Sequence, residues 1–198
     1  MLLHGSIVAL VTPMQQDGAI DYSALERLVE FHIDQGTHAI VAVGTTGESA
    51  TLSVSEHLSV IEKVVQTASG RVPIIAGTGA NSTNEAVELS RRAKSVGADA
   101  GLSVVPYYNK PNQTGLIAHF SAIADAVDLP LIMYNVPGRT VADLHNESVL
   151  KLMEHSNIVG LKDATGNLQR GRELLSASQG RLTVLSGDDG TALELMRL

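Results

Sequence analysis

The sequence predicts an α/β protein of consecutive strand–helix units, with seven parallel strands. Three observations carry that expectation. Apolar runs alternate with amphipathic stretches at intervals of roughly 20 to 30 residues. The runs are apolar throughout, as in Ala39-Ile-Val-Ala-Val43, which is how strands covered on both faces read. The loops with unusual chemistry all follow a strand. Seven such strands fit an open doubly wound sheet or a (β/α)8 barrel without its last unit, and both folds place ligands at that edge. No linker, low-complexity segment or composition shift interrupts the pattern, so residues 1–198 read as one domain.

Each element has its own signal. The first strand is expected at Ser6–Val11 and is closed by Thr12-Pro13. The helix after it carries Leu25, Leu28, Val29 and Ile33 at helical spacing, a Ser23-x-x-Glu26 capping box and Gly36 as a stop. The second strand is Ala39–Val43. Its helix opens at Ser53-x-x-Glu56, runs through Leu58, Ile61, Val64 and Val65, and stops near Gly70. The third strand, Pro73–Ala76, leads into Gly77-Thr-Gly79, and Ser82-x-x-Glu85 caps a helix through Leu89 and Val96. The fourth strand is Ala100–Val105, and its helix follows Gly115 with Leu116, Ile117, Phe120, Ile123 and Val127 on one face. The fifth, Leu131–Asn135, precedes a helix with Val149, Leu150 and Met153. The sixth is the apolar run from Asn157 that ends in Lys162-Asp163. The seventh is Leu182–Ser186, and Leu198 falls inside the helix after it.

Composition narrows the class. With 44% apolar and 18% charged residues, the 198-residue chain is globular and large enough for a substantial core. A net charge of −7 without any Lys/Arg-rich run argues against nucleic acid and anionic membranes as partners. The chain has no cysteine, hence no disulfide framework and no thiolate metal site, which fits a reducing cytosol. Met1–Val11 is as apolar as a signal peptide but lacks a basic start, and no run approaches the roughly 20 residues of a membrane span. The expectation is a soluble cytoplasmic protein.

The chemistry gathers at four strand ends. These are Gly44-Thr45-Thr46-Gly47-Glu48, Pro106-Tyr107-Tyr108-Asn109, Tyr134-Asn135-Val136-Pro137-Gly138-Arg139-Thr140 and Lys162-Asp163-Ala-Thr165-Gly166. Three of the four tyrosines lie at these junctions. A lysine ending an apolar strand is costly unless it stays wet, is paired or does chemistry. Lowering its pKa turns it into a nucleophile, as in Schiff-base enzymes. In a parallel barrel these loops would bring together an amine, phenols, hydroxyls and a guanidinium. That set suits imine chemistry, with tyrosine moving protons and arginine taking a carboxylate in its planar fork. Each residue alone also fits a bland role: a solvated strand-end lysine, half-buried tyrosines, simple Gly turns, a surface arginine. Four such groups at strand ends together fit it far less well. Gly77-x-Gly79 lacks a dinucleotide motif's third glycine, the Gly loops are not P-loops, and there is no Gly-x-Ser-x-Gly elbow. The seven histidines form no metal-binding pattern, so no metal is expected.

At these residues the chain closely resembles the dihydrodipicolinate synthase and N-acetylneuraminate lyase family of pyruvate-dependent class I aldolases. The likeness runs from Gly5-Ser-Ile-Val to Ser186-Gly-Asp-Asp189. It rests on Gly-Thr-Thr-Gly-Glu-Ser-Ala-Thr, Pro-Tyr-Tyr-Asn, Tyr-Asn-Val-Pro-Gly-Arg-Thr and Gly-Leu-Lys-Asp-Ala-Thr-Gly-Asn. The resemblance implies a (β/α)8 TIM barrel, here ending after its seventh strand, without the last βα unit and the C-terminal helical segment of the family. It implies Lys162 as the Schiff-base lysine for pyruvate and Tyr134 as the proton-transferring acid/base. Thr45 and Tyr108 would complete a proton relay, with Tyr108 reaching into a neighbouring subunit's site. Thr46 would hold the pyruvate carboxylate, and Arg139 the carboxylate of L-aspartate-4-semialdehyde. The implied reaction is a cofactor-free condensation and cyclisation in lysine biosynthesis, carried out by a homo-oligomer, dimer or tetramer.

Within the family the alternative is a lyase or aldolase acting on a sugar acid, and Arg139 in Pro-Gly-Arg-Thr favours the synthase. A further alternative is an inactive chain that only associates with a partner. Ser49, Ala50, His57, Asn81, Glu85 and Tyr107 match the family's L-lysine feedback site, whereas Val54 stands where sensitive members carry a histidine.

Overall fold

The computed structural model describes residues 3–198. The element order is β1 (Ile7–Ala9), α1 (Tyr22–Asp34), β2 (Ala39–Ala42), α2 (Val54–Ala68), β3 (Ile74–Gly77), α3 (Thr83–Ser95), β4 (Ala100–Val104) and α4 (Gln113–Ala126). There follow β5 (Leu131–Asn135), α5 (Pro137–Thr140), α6 (Asn146–Leu152), β6 (Ile158–Asp163), α7 (Leu168–Ser178), β7 (Thr183–Ser186) and α8 (Ala192–Met196). The strands lie in one sheet in chain order, β1 to β7. Consecutive βα units in unbroken order are the topology of a (β/α)8 barrel, of which the described residues contain seven strands. A doubly wound sheet would reverse its strand order, and none reverses here. Of Met1–Val11, the segment weighed as a leader, Met1 and Leu2 lie outside the described residues.

Packing divides the chain into two compact units. One runs through Gly77 and adds Leu89–Leu102; the other is Thr78–Glu88 with Ser103–Leu198. In the first, β1 pairs β2 and β2 pairs β3 in parallel, with Ile40 opposite Ile74 and Ala42 opposite Ala76. Every residue of β2 and β3 is buried, as expected of strands covered on both faces. Leu25 and Val29 of α1 and Leu58, Ile61 and Val64 of α2 are buried at helical spacing. In the second unit one core joins Leu116, Phe120 and Ile123 of α4 to Leu131 and Met133 of β5, and to Leu144, Leu152 and Leu161. Each such fully buried side chain contributes roughly 1.5–3 kcal/mol relative to exposure. β5 pairs β6, and β6 pairs β7, in parallel.

The helix starts show which capping signals won. Ser53 and Glu56 form the expected reciprocal box, with Ser53 N–H donating to Glu56 Oε2 at 2.9 Å and Glu56 N–H to Ser53 Oγ at 3.3 Å. Ser82 Oγ accepts from Glu85 N–H as expected. The Ser23 box does not form. Asp21 caps α1 instead, accepting from Ala24 N–H at 2.8 Å. The Met14–Ile20 bridge and the Asp21 N–H bond to Pro13 O fix the chain just before Asp21, so the helix begins two residues early. Asn112 likewise caps α4 ahead of Gly115, accepting its N–H at 2.9 Å. Two helices were not foreseen: the single turn α5 and the longer α7, which Asn167 caps.

Candidate active site

Tyr134 and Lys162 are each the next-to-last residue of their strand, and the β5–β6 register sets them directly opposite one another. Strand alternation sends both side chains to one face of the sheet. The Lys162 Nζ lies 4.4 Å from the centre of the Tyr134 ring. Lys162 is partly buried and Tyr134 buried. Burial pushes the Lys162 amine below its ordinary pKa, and the charge of Asp189 opposes that shift more weakly. An amine whose pKa is lowered by burial, lying against a phenol ring, supplies the two groups that imine formation needs: a nitrogen nucleophile and a proton carrier.

The space around the lysine stem is set by Gly187, at the end of β7. A Cβ there would stand 2.8 Å from Lys162 Cε and 3.0 Å from the Ala164 methyl. Gly187 N–H donates to Asp163 O at 2.7 Å, which holds the turn against the strand. Neither Gly187 nor Asp189 was given a role from sequence. Their signal was a Gly-Asp-Asp run placed directly after a strand.

On the opposite face of the same strand ends lie Asn135 and Asp163, both buried. Burial raises the Asp163 carboxyl pKa, while Thr165 and the Arg170 guanidinium lower it. Thr165 Oγ1 donates to Asp163 Oδ2 at 3.0 Å.

Tyr107 and Tyr108 follow β4 and are exposed, Tyr108 at 88%. Tyr108 has φ 73°, in the left-handed region that a tyrosine rarely enters. Asn81 Nδ2 donates to Tyr107 O and Asn109 Nδ2 to Asn81 O, both at 3.2 Å, tying the turn after β3 to the one after β4. The structure thus joins Asn81 and Tyr107, while Glu85 is exposed on the first turn of α3. Arg139 is exposed on α5, four residues beyond the end of β5.

In the first unit, Thr45 and Thr46 sit exposed in the turn after β2, which closes through Glu48 N–H to Thr45 O and Thr51 N–H to Glu48 O. Val43, buried at 1%, enters that turn with φ 53°. A β-branched residue there is strained, and such strain clusters at functional loops. A Cβ at Gly77 would come within 2.0 Å of Val43 O, so this turn requires glycine at the end of β3. Ser49 and Ala50 border the turn, and His57 is buried with Nε2 2.7 Å from Gly77 O. Among the described residues no group of three or more His, Asp or Glu could hold a metal ion.

The Dihydrodipicolinate synthetase family model matches residues 2–198. The chain is 60% identical over 197 residues to the 4-hydroxy-tetrahydrodipicolinate synthase of Thioalkalivibrio sulfidiphilus, covering 100% of this chain and 67% of that protein. Among solved structures it superposes with a TM-score of 0.96 and 61% identity on the chloride-inhibited dihydrodipicolinate synthase of Acinetobacter baumannii complexed with pyruvate. That match covers 97% of this chain and 66% of the other. The dihydrodipicolinate synthase of Cyanidioschyzon merolae with lysine bound matches with a TM-score of 0.94 and 44% identity, over 97% of this chain and 66% of that one. The chain therefore spans about two thirds of the length of these relatives, and it belongs to the dihydrodipicolinate synthetase family.

Proposed function

We propose that the chain condenses pyruvate with L-aspartate-4-semialdehyde to give 4-hydroxy-tetrahydrodipicolinate, a step of lysine and diaminopimelate biosynthesis, through an imine on Lys162. The observation that carries this reading is the half-buried Lys162 amine 4.4 Å from the Tyr134 ring, its pKa lowered by burial. Neutral Nζ adds to the C2 carbonyl of pyruvate, and the carbinolamine loses water to give the imine. Loss of a C3 proton gives an enamine, which attacks the aldehyde carbon of the second substrate. The amino group of the semialdehyde then displaces Lys162 at the imine carbon, closing the ring and returning the free amine. Tyr134 carries the protons.

Family resemblance extends the proposal to Thr45 and Tyr108 as relay hydroxyls, and to Thr46 as partner of the pyruvate carboxylate. Arg139 binds the carboxylate of the semialdehyde, for which a planar bidentate fork is suited. The protein works as a homo-oligomer in the cytoplasm. Support for the location is that no helix among the described residues is long and apolar enough to cross a membrane. L-lysine acts as effector at Ser49, Ala50, His57, Asn81, Glu85 and Tyr107. The lysine-bound Cyanidioschyzon merolae relative and the Asn81–Tyr107 bond support that site.

The test is incubation with pyruvate, borohydride reduction and mapping of the adduct by mass spectrometry. The expected product is a reduced adduct on Lys162, absent in Lys162→Ala. A folded protein that gives none, or that is modified at Lys63, Lys94, Lys110 or Lys151 instead, refutes the imine. With the adduct in hand, Arg139→Ala should weaken semialdehyde use by about tenfold or more while leaving pyruvate trapping intact.

A further inference from the structure

Behind the Lys162–Tyr134 pair, the β5–β6 strand ends are joined by a network that faces away from the substrate side. Asn135 is fully buried; its Nδ2 donates to Asp143 Oδ1 at 2.8 Å, and its Oδ1 accepts from Leu144 N–H at 3.0 Å. Arg170, projecting from the first turn of α7, closes the arrangement. Its Nη1 donates to the same Asp143 Oδ1 at 2.8 Å, its Nη2 donates to Leu144 O, and its Nε lies 3.9 Å from Asp163 Oδ2. The backbone continues the tie, with Ala164 N–H donating to Asn135 O at 2.9 Å. A planar fork that grips a carboxylate and a carbonyl at once fixes direction as well as distance, which a lysine could not do.

We propose that Arg170 is a positioning residue for the Lys162–Tyr134 pair. Through Asp143, Leu144 and Asp163 it holds the ends of β5 and β6 in the register that keeps Nζ over the ring. The inference rests on the imine reading of Lys162. Residues 134 and 135, like 162 and 163, are neighbours on a strand, so any twist or slip that frees the rear side chains also moves the front ones. Arg170 also compensates charge: one guanidinium serves both carboxylates, and it offsets the raising effect of the Asp143 charge on the Asp163 carboxyl. Loosening the network would admit water to the lysine and weaken the desolvation that lowers its pKa.

The experiment is pyruvate trapping on Lys162, followed against pH and pyruvate concentration, in the full chain and in Arg170→Met, Arg170→Lys and Asp143→Asn. Circular dichroism and thermal unfolding monitor the fold. The charged groups facing Lys162 are Asp189 and the ionisable Tyr134, and none of the variants changes either. Arg170→Met is expected to lower the maximal trapping rate about tenfold or more, with a smaller change in half-saturating pyruvate. The acid limb of its pH profile should move to higher pH, which a loss of stability alone would not cause. Arg170→Lys should share the defect, because it keeps the charge but loses the fork, and Asp143→Asn should shift the limb in the same direction by less. Should Arg170→Met fail to fold, Asp143→Asn carries the test. A folded variant with the parent's rate and pH profile overturns the proposal. A parent protein that traps nothing on Lys162 overturns the imine reading and this inference with it, and the two failures are told apart by the parent control.

Discussion

The ends of β5 and β6 and the turn after β2 fix their chemical groups in opposite ways. At the β5–β6 ends, past a register shift between Leu131 and Ile132, the pairing is regular, and register with alternation sets Lys162 over Tyr134. What is unfavourable there is electrostatic: an amine taken partly out of water. After β2 the exposed hydroxyls of Thr45 and Thr46 carry no desolvation cost, but Val43 holds a left-handed backbone and Gly77 must leave room for its carbonyl. There the unfavourable part is conformational. One region is tuned by solvent and pH, the other by backbone geometry.

Three measurements would break or sharpen that contrast. The largest effect is expected from Gly77→Ala, whose methyl would meet Val43 O at 2.0 Å, far inside any tolerated contact. Denaturant unfolding should show a loss of about 3 kcal/mol that does not vary with pH. A tolerated alanine would mean that the turn is softer than the strained Val43 implies. Next comes Gly187→Ala, where the added methyl presses on the flexible Lys162 stem and on the Ala164 methyl. Pyruvate trapping should fall about tenfold, with little change in the unfolding midpoint.

The smallest effect is a stability gain of within about 1 kcal/mol in Lys162→Met, together with loss of trapping. Its size depends on pH. The folded amine has a lowered pKa, so below that value it is charged in both states and the burial cost is full. Between the folded value and the ordinary 10.5 the unfolded chain binds the extra proton, so stability of the parent rises with pH. The advantage of Lys162→Met should therefore be greatest at lower pH and close as pH approaches 10.5. A gap that stays constant would assign the gain to packing and remove the electrostatic half of the contrast.

The regular region was also the more legible one. The fifth strand, Leu131–Asn135, was placed to the residue, because an apolar run bounded by Pro130 and a turn admits little else. Ser53-x-x-Glu56 was read correctly for a similar reason: both partners of the box lie within one turn. Ser23 was misread because Asp21, two residues earlier, is an equal cap, and the choice is made by the Met14–Ile20 bridge, which no local pattern reveals. Tyr134 and Lys162 were found as strand-end residues, but their facing register is a long-range fact and needed the sheet. Arg170 escaped notice altogether. Its partners Asp143 and Asp163 lie 27 and 7 residues away in sequence, and on paper it is one more charge on a polar helix. The left-handed Val43 gave no signal either, since valine is ordinarily a strand residue.

The absence of tryptophan gives the Lys162–Tyr134 contact an optical use. Without tryptophan, tyrosine dominates the intrinsic emission of this chain, and just four are present. Tyr22, Tyr107 and Tyr108 are exposed and supply a solvent-like background. Tyr134 alone is buried, with an amine against its ring that changes from ammonium to neutral amine to imine as the pH rises or pyruvate arrives. Its quantum yield should follow the chemical state of that nitrogen, so the site carries its own unlabelled fluorescent reporter. Lys162→Met would then serve as the blank that isolates the Tyr134 signal.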